Sequence, residues 1–223
     1  MNKIFVTASG TGIGKTFVTR VLIHQLRAGG RAVRALKPVA TGFTTDEGEP
    51  SDTELLLRSL GLETDAKSID AISPWRFSEP LSPDMAAARK ETSIAFEQLL
   101  SFCEANGEGE LTLIEGIGGV MVPLDEEHCV LDWIAALGAP ALLVVGSYLG
   151  TLSHTLTAAG MLRASGIEIA GIVVNESDAL PVPAQETAEV LARFVPTVPI
   201  RVLHRLERPE DAPDLLPLLA PYL

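Results

Sequence analysis

Residues 8–16 read Ala-Ser-Gly-Thr-Gly-Ile-Gly-Lys-Thr, a spacing that carries a definite chemical expectation. Glycines let successive backbone N–H groups close round anionic oxygens, and a helix opening directly behind them adds its positive end. Lys15 then reaches the β- and γ-phosphates, and the Thr16 hydroxyl is placed to ligate magnesium. The strict GxxxxGK[ST] pattern asks for glycine where Ser9 stands. A strand before, a helix after and Lys-Thr at the helix start still predict a triphosphate cradle. They leave open which reaction it serves.

Three further side chains have types and places that suit phosphoryl chemistry. Lys37 closes an apolar run and is followed by Pro38-Val39-Ala40-Thr41-Gly42. A cation at a strand's carboxyl end can neutralise charge that develops as a phosphoryl group moves, although a lone lysine there is also an ordinary solvated side chain. Asp52 follows Ser51 at a helix start, where it serves equally as a first-turn or capping residue. Glu115 ends the apolar run Leu111-Thr-Leu-Ile-Glu115. An acid buried there is costly without a cation or donors nearby. Thr16, Asp52 and Glu115 together supply hard oxygens of the kind magnesium takes, with water and phosphate oxygens completing an octahedron.

The elements that must hold these groups can be read from hydrophobic patterning. Runs from Lys3, Arg31, Leu111, Ala139 and Ile167 are nearly continuous in Val, Ile, Leu and Ala, as strands covered on both faces are. Between them lie helical stretches. One starts at Lys15, buries Val18, Val21, Leu22 and Leu26, and stops at Gly29-Gly30; others begin near Asp52, Ser93 and Thr151, and another covers 183–194. Alternating strand and helix predicts an α/β fold of the P-loop NTPase type. The expectation is three layers, with a mostly parallel sheet and helices on both faces, in one domain over 1–223. Ligands in such sheets lie beyond the strands' carboxyl ends. The stretch after Arg201, with prolines at 209, 213, 217 and 221, reads as a partly helical cover, because proline interrupts regular helix.

The formal net charge of −12 disfavours nucleic acid and anionic membrane as partners. No apolar run approaches the roughly 20 residues of a membrane helix, and residues 1–10 lack a signal-peptide apolar region. Cys103 and Cys129 have no metal-ligand spacing and read as reduced, structural thiols. The expectation is a soluble, cytoplasmic protein.

As a set, the motifs resemble those of the dethiobiotin synthetase family. The pieces come in family order: the GTGIGKT loop, KPVATG from Lys37, Ser51-Asp52, EPLSP from Glu79, EGIGG from Glu115, LGTLSH from Leu149 and VVNE ending at Glu176. The resemblance implies an enzyme that closes the ureido ring of dethiobiotin from 7,8-diaminopelargonic acid, CO2 and ATP, with Mg2+ as cofactor. It implies ATP contacts from Gly12, Ile13, Gly14, Lys15, Thr16, Phe17, Asp52, Glu115, Gly116, Ile117, Gly118, Asn175, Glu176 and Glu210, with Asn175 on the adenine edge and Glu210 at the ribose. Magnesium falls to Thr16, Asp52 and Glu115. Lys37, Lys15 and Thr11 take the catalytic roles, and Thr41 contacts the diamine or its carbamate. The substrate carboxylate is expected at a helix start formed by Gly150, Thr151, Leu152 and Ser153 of a second copy, so the resemblance implies a homodimer with a shared site. Departures are Gly10 and Gly12 where the family often has acids, Ser153 where Asn is usual, and Val202–Arg205 in place of IPxL.

The alternative from another class is a nucleotide-driven partner switch, such as a partition or site-placing ATPase. Those proteins resemble KGGxGKT, with an extra Lys where Gly10 stands here, and the acidic balance also counts against that reading.

Overall fold

The computed structural model describes residues 3–44, 48, 50–105, 111–177 and 182–223. The strands are β1 (Lys3–Ala8), β2 (Val33–Leu36), β3 (Val39–Thr41), β4 (Trp75–Phe77), β5 (Leu111–Glu115), β6 (Ala141–Gly146), β7 (Ile169–Asn175) and β8 (Ile200–Leu203). The helices are α1 (Lys15–Ala28), α2 (Asp52–Leu60), α3 (Ala66–Ile72), α4 (Pro83–Arg89), α5 (Phe96–Glu104), α6 (Val130–Leu137), α7 (Thr151–Ala164) and α8 (Ala184–Phe194). Six strands form one sheet in the order β2-β5-β1-β6-β7-β8, and every neighbouring pair is parallel. This is the expected α/β architecture.

The apolar runs form strands because both faces are covered. Every residue of β5 and β6 is buried, which is why neither run alternates polar with apolar. Phe5 of β1 meets Trp133 of α6 edge to face, with ring centroids 4.8 Å apart, a geometry that aromatic quadrupoles favour. The predicted stripe of α1 is buried and Ile23 joins it. That helix is clasped from outside by the C-terminal segment, where Gln25 donates to the Pro213 carbonyl at 2.9 Å and accepts from the Leu215 N–H at 2.9 Å.

Three expectations need correction. The strand expected from Arg31 begins at Val33, since Arg31 and Ala32 are exposed beyond the sheet. The helix expected near Ser93 begins at Phe96, after Ile94 has anchored the preceding turn in the core. The stretch after Arg201 is not all cover: Ile200–Leu203 forms β8, a sixth parallel strand beside β7. Beyond it lie three short 3₁₀ turns, Pro209–Asp211, Leu216–Leu218 and Ala220–Tyr222. Each contains a proline near its start, where the missing N–H costs nothing.

One small element decides where Lys37 stands. β3 and β4 form a separate two-stranded parallel sheet, and the chain enters it from β2 through Lys37 and Pro38. The Lys37 N–H donates to the Ile72 carbonyl at 3.0 Å, and the Trp75 N–H to the Pro38 carbonyl at 3.1 Å. Lys37 is thereby fixed at the edge where the main sheet ends and the small one begins.

Candidate functional site

The glycine-rich turn joins β1, at the centre of the sheet, to α1. Gly14 caps α1 in the left-handed region with φ of 91°, and a Cβ built there would stand 2.3 Å from Asn175 Nδ2. Only glycine fits that backbone and that contact. Ser9 breaks the strict motif without strain: among the described residues Glu91 is the one non-glycine with positive φ, and the Ser9 N–H extends the β1–β6 ladder to the Val144 carbonyl at 3.1 Å. No glycine is required at that position.

Glu115 is delivered by register. β1 pairs with β5 so that Val6 faces Glu115, and β2 pairs with β5 so that Leu36 faces Ile114. Lys37 and Glu115, each the next residue, therefore emerge side by side from adjacent parallel strands. Lys37 Nζ donates to Glu115 Oε1 at 2.7 Å and to the Gly116 carbonyl at 2.9 Å. Asp52 Oδ2 lies 3.6 Å from the same nitrogen. Thr16 Oγ1 also donates to Glu115 Oε1, at 2.7 Å. Glu115 is fully buried and Lys37 is 3% exposed. Burial alone pulls the Lys37 ammonium down, but Glu115 and Asp52 outweigh it and hold the group above the ordinary lysine value.

Lys15 sits differently. It too is buried, and its Nζ donates to the Gly118 carbonyl at 2.8 Å. Burial first, and then the like charge of Lys37, lower its pKa to about 8. The cavity thus presents two lysines, one held by carboxylates and one by a carbonyl.

The loop 116–120 folds back onto β1, with the Gly116 N–H on the Val6 carbonyl at 3.0 Å and Val120 on Ala8 at 3.2 Å. A Cβ on Gly116 would lie 2.7 Å from Phe5 Cε1, which explains the glycine after the acid. Asp52 is free to face Lys37 because it does not cap α2. Ser51 does: it forms a reciprocal capping box with Glu54, a pattern visible as S-x-x-E in the sequence.

A cavity of about 540 Å³ brings together Thr11, Gly12, Ile13, Gly14, Lys15, Thr16, Lys37, Thr41, Asp52, Ile117 and Gly118. Glu115 and Gly116 lie directly behind it through their bonds to Lys37. Sequence reasoning did not single out Phe43, Thr44 and Pro50, which also line it. They arrive with the β3–β4 sheet and the turn into α2, whose pairing no local pattern announces. A second cavity of about 380 Å³ holds Gly12, Ile13, Gly14, Phe17, Asn175, Glu176 and Ser177, together with Arg205 and Leu206. There Asn175 Nδ2 donates to the Ile13 carbonyl at 2.8 Å, leaving Oδ1 as the amide's remaining acceptor. Glu176 accepts from the Arg205 N–H at 3.0 Å.

Two groups of expected residues stand apart. Glu210, in the first 3₁₀ turn, lines neither cavity and lies 3.8 Å from Arg208. Gly150, Thr151, Leu152 and Ser153 open α7 and also line neither cavity. Thr151 is buried, its hydroxyl donating to the Gly146 carbonyl at 2.7 Å, while Leu149 is 82% exposed. Tyr148 Oη and His154 Nδ1 are 2.9 Å apart beside that turn.

Thr16, Asp52 and Glu115 fit a hard divalent cation. All three offer oxygen, and Glu115 Oε2 is a buried carboxylate oxygen with no hydrogen-bond partner among the described residues, an atom that calls for a cation or donor.

The glycine-rich turn from the central strand into α1, the buried acid on the adjoining strand and the parallel sheet define a P-loop NTPase. Residues 2–212 match the family model described as an AAA domain. Among solved structures, the chain is similar to the cell division protein FtsY from Thermotoga maritima, with a TM-score of 0.53 and 16% identity. That match covers 97% of this chain and 65% of the other, so this chain spans under two thirds of that protein. A ParA family ATPase from Chlorobium tepidum gives a TM-score of 0.53 at 11% identity, covering 93% of this chain and 86% of that one. At such identities the likeness is one of fold alone. Sequence relatives are far nearer. The chain is 48% identical to the ATP-dependent dethiobiotin synthetase BioD of Acidiphilium cryptum, over 96% of this chain and 95% of that one. With the protein of that name from Methylobacterium nodulans the identity is 43%, covering 97% and 100%. This chain belongs to the dethiobiotin synthetase family, as its motifs indicated.

Proposed function

We propose that the protein closes the ureido ring of dethiobiotin. It takes 7,8-diaminopelargonic acid, CO2 and ATP as substrates and yields dethiobiotin, ADP and phosphate. The observation that carries this reading is the meeting of Lys15, Lys37, Thr16, Asp52 and Glu115 in and behind one cavity, in a chain whose relatives bear that enzyme's name over nearly their full length.

The chemistry proceeds in three steps. One amine of the diamine adds to CO2, forming a C–N bond and losing a proton, to give a carbamate. A carbamate oxygen displaces ADP from the γ-phosphorus, giving a carbamic-phosphoric anhydride. The neighbouring amine then attacks the carbonyl carbon, loses its proton and expels phosphate as the five-membered ring closes. Tethering makes that closure intramolecular, with effective molarities of roughly 10⁵ M or more for well-oriented groups.

The residues hold, orient and neutralise. The N–H groups of Gly12, Ile13 and Gly14 and the start of α1 cradle the triphosphate, and Lys15 turns from the Gly118 carbonyl to the phosphates. Gly116, Ile117 and Gly118 pass alongside. Thr11 joins the loop that holds the triphosphate, Thr41 borders the diamine, and Lys37 offsets negative charge on the oxygens between carbon and phosphorus. Thr16, Asp52 and Glu115 hold Mg2+, which when bound shields the triphosphate's charge and fixes its oxygens. Asn175 Oδ1 suits an exocyclic amine such as that of adenine, with Phe17 and Glu176 completing the base site and Glu210 toward the ribose. No step in this scheme demands a general-base imidazole.

The substrate's carboxylate docks on the N–H groups that open α7 in a second copy, Gly150 to Ser153. Leu149 beside them is exposed, an apolar side chain that a partner would cover. The enzyme is thus a homodimer with a shared site, each chain one P-loop domain. A cytoplasmic location is consistent with its acidity and with the lack, among the described residues, of any helix long and apolar enough to cross a membrane.

Phosphate release from Mg-ATP tests the reading. Release that requires both the diamine and bicarbonate is expected. Hydrolysis indifferent to the diamine would instead favour a partner-regulated ATPase.

A further inference from the structure

Glu115 Oε1 has two lone-pair sites, and both are taken. The Thr16 hydroxyl donates to it at 2.7 Å and the Lys37 ammonium at 2.7 Å. The other oxygen, Oε2, is buried and has no hydrogen-bond partner among the described residues. Lys37 also stands 3.6 Å from Asp52 Oδ2. One ammonium therefore bridges the two carboxylates assigned to the magnesium site. A divalent cation drawing on those carboxylates would lie within a few ångström of that ammonium, where like charges repel strongly in a buried setting. Thr16 has no reason to leave, because a hydroxyl donating to Glu115 keeps its own lone pairs for a metal. Lys37 is the group in conflict.

We propose that Lys37 is the built-in counter-ion of the Glu115–Asp52 pair and that it must yield those carboxylates before a divalent cation binds. This inference rests on the assignment of magnesium to Thr16, Asp52 and Glu115. It gives Lys37 two positions. In one it neutralises a fully buried carboxylate that would otherwise be intolerable in the core. In the other it is turned toward the cavity it already lines beside Thr41, where the carbamate and the γ-phosphate are to meet. Cation binding and presentation of the catalytic lysine become one event. The lysine is then delivered only once the metal has taken its place.

The test is metal binding measured without turnover. Mn2+ is titrated into the nucleotide-free protein at pH 8 and followed by the electron paramagnetic resonance signal of the free ion. Lys37→Met is expected to bind Mn2+ about tenfold more tightly than the wild-type chain, or better, because the competitor is gone. Equal or weaker binding by the variant overturns the inference while leaving the magnesium assignment standing. If neither protein binds Mn2+, with or without ATP, the magnesium assignment itself falls and takes the inference with it.

A second measurement uses the wild-type chain, in case Lys37→Met fails to fold. Acylation of Lys37 by a limiting amine-reactive ester, mapped by mass spectrometry, is expected to rise several-fold when Mn2+ occupies the site. Lys37 that stays as shielded with the metal bound as without it contradicts the proposal.

Discussion

Among single residues, Lys37 is the one to which the proposed mechanism gives most of the chemistry. Replacing it with alanine is predicted to lower kcat by about 10² or more, as removal of one positioned transition-state donor does elsewhere. The KM for ATP should move much less, because Lys15 and the loop N–H groups remain. Steady-state kinetics with the diamine saturating checks this, and a near wild-type kcat would refute the role. The same change leaves Glu115 buried without its cation, a loss of about 3–5 kcal/mol in comparable buried pairs, so denaturant unfolding should show a much less stable protein. Cys103 offers a pH test. Burial raises its thiol to about 12, against an unfolded value near 9, so between those values the folded chain holds a proton the unfolded chain has lost. Stability should therefore fall as pH rises above about 9, and Cys103→Ala should remove that part of the slope. Lys15 and Thr16 were legible as candidates in the sequence because they close a glycine-rich loop at a helix start, and Lys37 because it ends a strand-like run and is followed by Pro38 and a small polar loop. The pairing of Lys37 with Glu115 was not. It depends on β2 lying beside β5, and strand order is a tertiary choice that no local pattern records.

Elements set the positions of these residues, and two changes probe that. Ser51→Ala removes the cap of α2, whose capping box also fixes Glu54. The expected cost is about 1 kcal/mol, seen by calorimetry as a Tm lowered by about 2–4 °C for a chain of this size. Activity should fall as well, because Asp52 is the first residue of that helix and faces Lys37. Gly116→Ala would drive a methyl to 2.7 Å from Phe5 Cε1, and Phe5 is pinned by Trp133. Overpacking there is expected to cost about 1–3 kcal/mol and to swing the 116–120 loop off β1, weakening nucleotide binding in calorimetric titration. The long apolar strands and α1 were readable because burial on both faces leaves continuous Val, Ile and Leu. The short elements were not. β3 and β4 span three residues each, and β8 has exposed Arg201 at its centre, so each owes its existence to a neighbouring strand rather than to its own pattern.

For the whole molecule, the prediction concerns the proposed homodimer and its shared site. A Lys37→Ala chain lacks its own half of the centre, and a Ser153→Asp chain places a negative charge where a partner's substrate carboxylate would dock. Neither homodimer should turn over. Mixed after reversible dissociation, the two should recover roughly a quarter of wild-type activity, since half the dimers are mixed and each carries one intact site. No recovery on mixing would mean that α7 serves its own chain or no substrate at all. Everything else depends on ring closure taking place at the cavity between the glycine-rich loop and Lys37. To test it, purified protein is supplied with Mg-ATP, 7,8-diaminopelargonic acid and 13C-bicarbonate, and the product is read by mass spectrometry. One labelled carbon in a cyclic urea, formed in step with ADP and free phosphate, is the predicted result. A phosphorylated diamine, or ADP formed with the diamine unchanged, would contradict it.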